Sequence, residues 1–388
     1  MVMNRTNQSK EVQKSEPPRQ KTGNNDQKLS RRQFFFIIVQ TQIGVGILSV
    51  PYDLHSVAKQ AGWISLLLGA LAIQVILLGI WVVAKNFPED TLYTINDKLF
   101  TKWIGKPISI LYILYFIGVG SLIILLFCRM INMWVLPNTP LWVTSFLLIS
   151  VCIYMVSGGL IVLGRMYTML SLLLGLLIFF MIIATKEMHL MYLFPILEAG
   201  WGRVFAGINK AIFSFFGFIV SLVIFSKVEG SHVQKLKTIV YAHWFVTTFY
   251  MFTVFASFTF FSTSEIQLVP EPVLYMLKAF TLPIIARIDL FFISIWVINV
   301  ATTLATYLYV ASLGLSDLFK RQSQGHFIIL IGVIIFSISI YVGLDLSRIQ
   351  AFNKVVTYSG YIFSVSLPLI MVPLSYFMKN RRKGESSS

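Results

Sequence analysis

Ten stretches of mostly apolar residues recur along this 388-residue chain, each close to the 20 or so that an α-helix needs to cross about 30 Å of hydrocarbon. They fall near 34–54, 61–84, 107–132, 141–158, 160–185, 205–227, 236–262, 287–313, 327–344 and 350–378. With 56% of residues hydrophobic, 12% charged and a mean hydropathy of +0.77, a water-soluble domain of this size has no interior large enough to hide them. The pattern predicts an all-α polytopic membrane protein of about ten transmembrane helices, in contact with lipid along most of its length.

The formal net charge of +15 is concentrated in tails and short loops, where membrane topology itself calls for basic residues, so a nucleic-acid partner is not expected. In the ten-span scheme, 22 of the 31 Lys and Arg residues lie on the side of the termini and nine on the other, which orients both termini toward the cytoplasm. Residues 1–33 are polar and basic, without an apolar core or a small-residue cleavage site, and are expected to form a disordered cytoplasmic tail. Spans one to five then occupy 34–185, spans six to ten 186–378, and a short cytoplasmic tail 379–388. The longest outer connections, about 186–204 and 263–286, carry several prolines and aromatics and suggest short interfacial or re-entrant pieces.

Cys128 and Cys152 sit in apolar runs, and the five histidines are scattered without ligand spacing. No disulfide framework, metal site or cofactor is expected, and the chain is not expected to be an enzyme.

Two spans carry helix-breaking residues. In the first, Gln42-Ile43-Gly44-Val45-Gly46-Ile47-Leu48 is followed by Pro51, and each glycine lowers helix propensity by about 1 kcal/mol. In the sixth, Phe213-Ser214-Phe215-Phe216-Gly217-Phe218 sets a serine and a glycine inside an aromatic run. An unwound turn at membrane depth is tolerated where its freed N–H and C=O groups meet protein, water or ligand, although glycine also serves close helix packing. Five helices is an odd number, so a second five-helix unit enters the membrane inverted, and the two broken helices meet near the midplane. There, N–H groups suit a carboxylate and unwound carbonyls suit an ammonium, which together fit a zwitterion.

The segment Gln40-Thr41-Gln42-Ile43-Gly44-Val45-Gly46-Ile47-Leu48-Ser49-Val50-Pro51, followed by Ala58 and Ala61-Gly62-Trp63-Ile64, resembles the B subunit of bacterial spore germinant receptors. That family belongs to the amino acid–polyamine–organocation transporter superfamily. The glycine segment alone indicates the superfamily; the wider resemblance covers about 34–380, and the basic tail is longer than the usual start. It implies a 5+5 inverted-repeat fold with broken first and sixth helices, residence in the spore inner membrane, a small amino acid or related germinant as ligand, and A and C subunits as partners. Carried over by position, Gly44, Val45 and Gly46 match the carboxylate-binding turn, and Phe213, Ser214, Phe215, Phe216 and Gly217 match the sixth-helix break.

Asn299, Thr302, Thr303 and Thr306 form a polar stripe on the eighth span, and the spacing of the first three resembles the sodium site of sodium-coupled relatives. Threonine hydroxyls that bond to their own helix or to a neighbour explain such a stripe equally well. The leading expectation is a germinant-sensing receptor subunit. The alternatives are a proton- or sodium-coupled amino-acid transporter, or a scaffold with a vestigial pocket.

Overall fold

The computed structural model describes residues 28–280, 287–321 and 324–385. Among these the chain is helical, with one isolated parallel bridge between Leu29 and Val228.

Helix α1 (Arg31–Gln42) starts three residues before the expected span, because Ser30 and Gln33 form a reciprocal capping box that satisfies the first free amides. It stops at Ile43, the 3₁₀ turn Val45–Leu48 follows, and α2 (Val50–Ala58) resumes with Pro51 in its first turn, where proline costs no hydrogen bond. A short 3₁₀ turn, Lys59–Ala61, joins α2 to α3 (Gly62–Asn86). That turn reverses the chain: a Cβ on Gly62 would lie 3.0 Å from the Leu54 Cβ, whereas eight residues of straight helix span about 12 Å. The broken first span is therefore separate from the second.

Helix α4 (Leu92–Leu99) lies in the connection before α5 (Thr101–Trp134). There follow α6 (Leu141–Ser157), α7 (Gly159–Leu170), α8 (Leu172–Ile183) and α9 (Gly200–Ser214). The sixth span breaks at Phe215, turns through 3₁₀ residues Phe216–Ile219 and continues as α10 (Val220–Ile224), with a bend of 51° across the break. After α11 (His232–Phe260), two short helices, α12 (Thr263–Ile266) and α13 (Pro272–Lys278), lie in the connection where short interfacial or re-entrant pieces were expected. Then come α14 (Ile288–Leu318), α15 (Gly325–Val342), α16 (Leu346–Gly360) and α17 (Leu367–Glu385), the last two joined by a π-helical turn, Tyr361–Ser366. Helix α17 thus runs well into the expected C-terminal tail.

Among the described residues, seven helical stretches are long and apolar enough to cross a membrane, with α2 and α3 taken as one, and eight if the bent α9–α10 pair counts as a span; α6, with 17 residues, falls just short. The stretches built on α5 and α14 are 67% buried along their most apolar windows, against 28% for α7–α8 and 33% for α15 and for α16–α17. Helices α5 and α14 are the most buried of these long stretches and α7–α8, α15 and α16–α17 the most exposed, which places the polar stripe of α14 in the middle of the molecule.

Candidate ligand site at the paired helix breaks

The two breaks meet directly. A Cβ on Gly217 would lie 2.7 Å from the Thr41 carbonyl oxygen and 3.1 Å from the Gln42 Cγ, so only glycine lets the sixth-span turn approach the end of α1 this closely. Tyr250, from α11, ties both: its hydroxyl donates to the Gln42 carbonyl at 2.6 Å, with the Ser214 carbonyl 3.4 Å away. A single side chain thus satisfies backbone that the breaks set free.

The third wall is α14. A Cβ on Gly44 would come within 2.8 Å of the Thr303 hydroxyl oxygen, so Gly44 too is required by close approach. The Thr303 hydroxyl sits 2.8 Å from the Gln40 carbonyl and 2.9 Å from the Asn299 carbonyl. Thr302 likewise reaches Gln40 Oε1 (2.9 Å) and the Asn299 carbonyl (2.8 Å). Tyr167 of α7 donates to the Thr302 carbonyl at 2.6 Å and lies 3.0 Å from the Thr306 hydroxyl, which also meets Thr41 at 3.2 Å. The stripe therefore welds α14 to α1 through hydroxyls bonded to their own helix and to their neighbour.

The site residues read from the sequence are brought together unevenly. Gly44, Gly217, Thr302 and Thr303 converge. Val45 and Gly46 continue the turn, and a Cβ on Gly46 would meet nothing within 4 Å, so open space adjoins it. The phenylalanines diverge. Phe215 packs its edge against Tyr250 (5.5 Å) and His243 (5.3 Å) on α11. Phe216 crosses over Gly360, at the end of α16, and contacts Tyr361 at 5.3 Å, while Phe213 rests edge-on against Phe216 at 5.6 Å. Ser214 donates its hydroxyl to the Lys210 carbonyl at 3.2 Å.

Four contributors were not singled out as site residues from the sequence. Gln40 and Gln42 were quoted only as flanking the glycines, although two amides inside an apolar span were the available signal. Tyr250 and Tyr167 carried no local signal, since their partners lie 208 and 135 residues away.

A cavity of about 610 Å³ lies apart from the breaks, among Glu187, His189, Tyr192, Phe260, Phe261, Glu265 and their neighbours in the connections after α8 and α11. Its Glu265 carboxyl is held below its usual range by the Ser262 backbone N–H (2.9 Å) and hydroxyl (2.7 Å). Among the described residues, no group of three or more His, Cys, Asp or Glu side chains is placed to hold a metal ion.

The architecture is that of the LeuT-fold transporters. A Na+-coupled sialic acid symporter, solved in a substrate-bound outward-open state, superposes with a TM-score of 0.63 at 17% identity, covering 89% of this chain and 80% of that one. MhsT in complex with L-phenylalanine gives 0.66 at 15% identity, covering 90% and 89%. Residues 28–344 match the family model described as spore germination protein, and the chain belongs to that family. Similar relatives include spore germination protein A2 of Bacillus subtilis (strain 168), 28% identical over 367 residues, covering 92% of this chain and 97% of that protein. Spore germination protein GerQB of Bacillus cereus is 24% identical over 351 residues, covering 90% and 96%. Spore germination protein B2 of Bacillus subtilis (strain 168) is 26% identical over 370 residues, covering 93% and 99%. The resemblance carried by Gln40–Pro51 thus extends over nearly the whole chain. Fold and family together make it an integral membrane protein of the germinant receptor or transporter kind.

Proposed function

We propose that the chain is the germinant-sensing membrane subunit of a spore germination receptor. It binds a small amino acid or similar nutrient where the two helix breaks meet, and it passes the resulting shift to A and C partner subunits. It acts by binding rather than by catalysis and needs no cofactor. It resides in the inner membrane of the spore, with ten spans arranged as two inverted halves and both termini in the cytoplasm, an orientation supported by the 22-to-9 split of basic residues.

The observation that carries this reading is the junction itself: two unwound turns from distant parts of the chain, pressed together at Gly217 and bridged by one tyrosine hydroxyl. A ligand that binds one arrangement of this junction more tightly than the other shifts the population between them, and no other input is required. The turn after α1 and the sixth-span break supply the moving parts, and α1 welded to α14 the fixed wall.

The test is germination of spores lacking this gene across a panel of single amino acids and nucleosides. Loss of response to particular germinants supports the receptor reading and names the ligand class. The second reading, a proton- or sodium-coupled amino-acid transporter, is favoured by the fold of its structural neighbours. It predicts accumulation of an amino acid in proteoliposomes and an unchanged germination response in the deletion strain.

A further inference from the structure

Six buried polar atoms on α1 and α14 have no hydrogen-bond partner: Gln40 Nε2, both amide atoms of Gln42, both amide atoms of Asn299, and Trp296 Nε1. Their residues are nearly inaccessible, at 0% exposure for Gln40, 4% for Gln42, 1% for Asn299 and 1% for Trp296. Buried polar groups are almost always paired, because leaving one unpaired forfeits its hydration without return.

These atoms are not scattered. The Gln42 side chain lies against Gly217, at the contact between the two breaks. Asn299 stands one turn before Thr303, and Trp296 about one turn before Asn299, on the α14 face that meets Gly44. Over 40–48, 214–218 and 296–306 there is no Asp, Glu, Lys or Arg.

We propose that the side-chain amides of Gln42 and Asn299 read the polar head of the ligand, and that this head is a zwitterionic amino-carboxyl group without net charge. The assignment rests on the junction being the ligand site, as proposed above. An amide presents N–H donors to a carboxylate and a carbonyl acceptor to an ammonium, so two amides complement a zwitterion without any ionised side chain. A ligand head with net charge would be buried here without a counter-ion, and that penalty excludes it. Specificity follows from the same cost: a ligand lacking its ammonium or its carboxylate leaves buried amide atoms unpaired.

The experiment uses the full chain in lipid nanodiscs, with melting temperature read in the absence and presence of each of the twenty amino acids. For any amino acid that stabilises the wild type, its des-amino and decarboxylated analogues are added. Gln42→Met and Asn299→Leu remove the amides at nearly constant volume. Without ligand, both variants are expected to melt at or above the wild-type temperature, because each loses an unpaired buried group. With ligand, they are expected to bind at least tenfold more weakly and to lose the preference for the intact amino acid over its analogues. Gln42→Asn, which keeps the amide but withdraws it by one methylene, is expected to lose affinity without gaining stability. Wild-type affinity in Gln42→Met and Asn299→Leu overturns the assignment while leaving the ligand site standing. Melting well below the wild type without ligand, or failure of both variants to fold, marks the amides as structural and also overturns it. A wild-type chain indifferent to all twenty amino acids removes the amino-acid reading and this assignment together.

Discussion

At the scale of single residues, the glycines of the two breaks play different parts. Gly217 faces backbone, the Thr41 carbonyl, which cannot yield without moving α1. Gly217→Ala is expected to lower stability by about 1–3 kcal/mol, the usual cost of overpacking, and this is measurable as a lower melting temperature without ligand. Gly46 faces open space, so Gly46→Ala is expected to be silent in the same assay. Gly46→Trp fills that space and is expected to abolish the ligand-induced melting shift while the protein still reaches the membrane; a normal shift in that variant would remove the proposed site. The break in the first span was legible because two glycines and a proline fall within one apolar segment, whereas a lone glycine in an apolar span, such as Gly69 or Gly332, serves close helix packing. The aims of Phe215 and Phe216 were not legible, since His243, Tyr250, Gly360 and Tyr361 turn them away from the junction, and none of these lies near them in sequence.

At the scale of elements, Tyr250 couples the halves of two broken helices from a third. Tyr250→Phe keeps the ring packing against Phe215 but removes the hydroxyl, leaving the Gln42 carbonyl with only the Gly44 N–H at 3.1 Å. The expected loss is about 1 kcal/mol of stability, read in denaturation, together with faster hydrogen exchange at the end of α1. The outer connection offers a pH test. The Glu265 carboxyl caps α12 in its ionised form and its folded pKa lies below the ordinary 4.5, so its contribution is present at neutral pH and is lost as pH falls through and below that range. Hydrogen exchange over Thr263–Ile266, corrected for intrinsic rates, is expected to rise as pH falls from about 5 to about 3, and Glu265→Gln, which has no proton to take up, is expected to erase that dependence. Helix existence was readable from hydropathy, whereas ends depended on local chemistry: the Ser30–Gln33 box advances α1 to Arg31, and the hairpin at Lys59–Ala61 sits within a stretch whose composition scarcely changes.

At the scale of the whole molecule, the hydroxyls of the α14 stripe are already engaged with α1, α7 and their own helix. That arrangement supports a structural weld rather than an ion cage, so replacing sodium by choline is expected to leave ligand-induced stabilisation unchanged; a sodium requirement would restore the ion-site reading of Asn299, Thr302 and Thr303. The N-terminal segment joins the body by another route. Leu29 donates its N–H to the Lys227 carbonyl at 2.8 Å, and its carbonyl accepts from Glu229 at 2.9 Å, clasping the entry of α1 to the chain that leaves the sixth span. A clasp made of amide and carbonyl is indifferent to which side chains it carries. Substitutions can accumulate along both strands without loosening it, whereas inserting or deleting one residue beside Leu29 or Val228 shifts every donor off its acceptor. The constraint therefore lies in the spacing of the chain, and relatives can share it while sharing few of its letters.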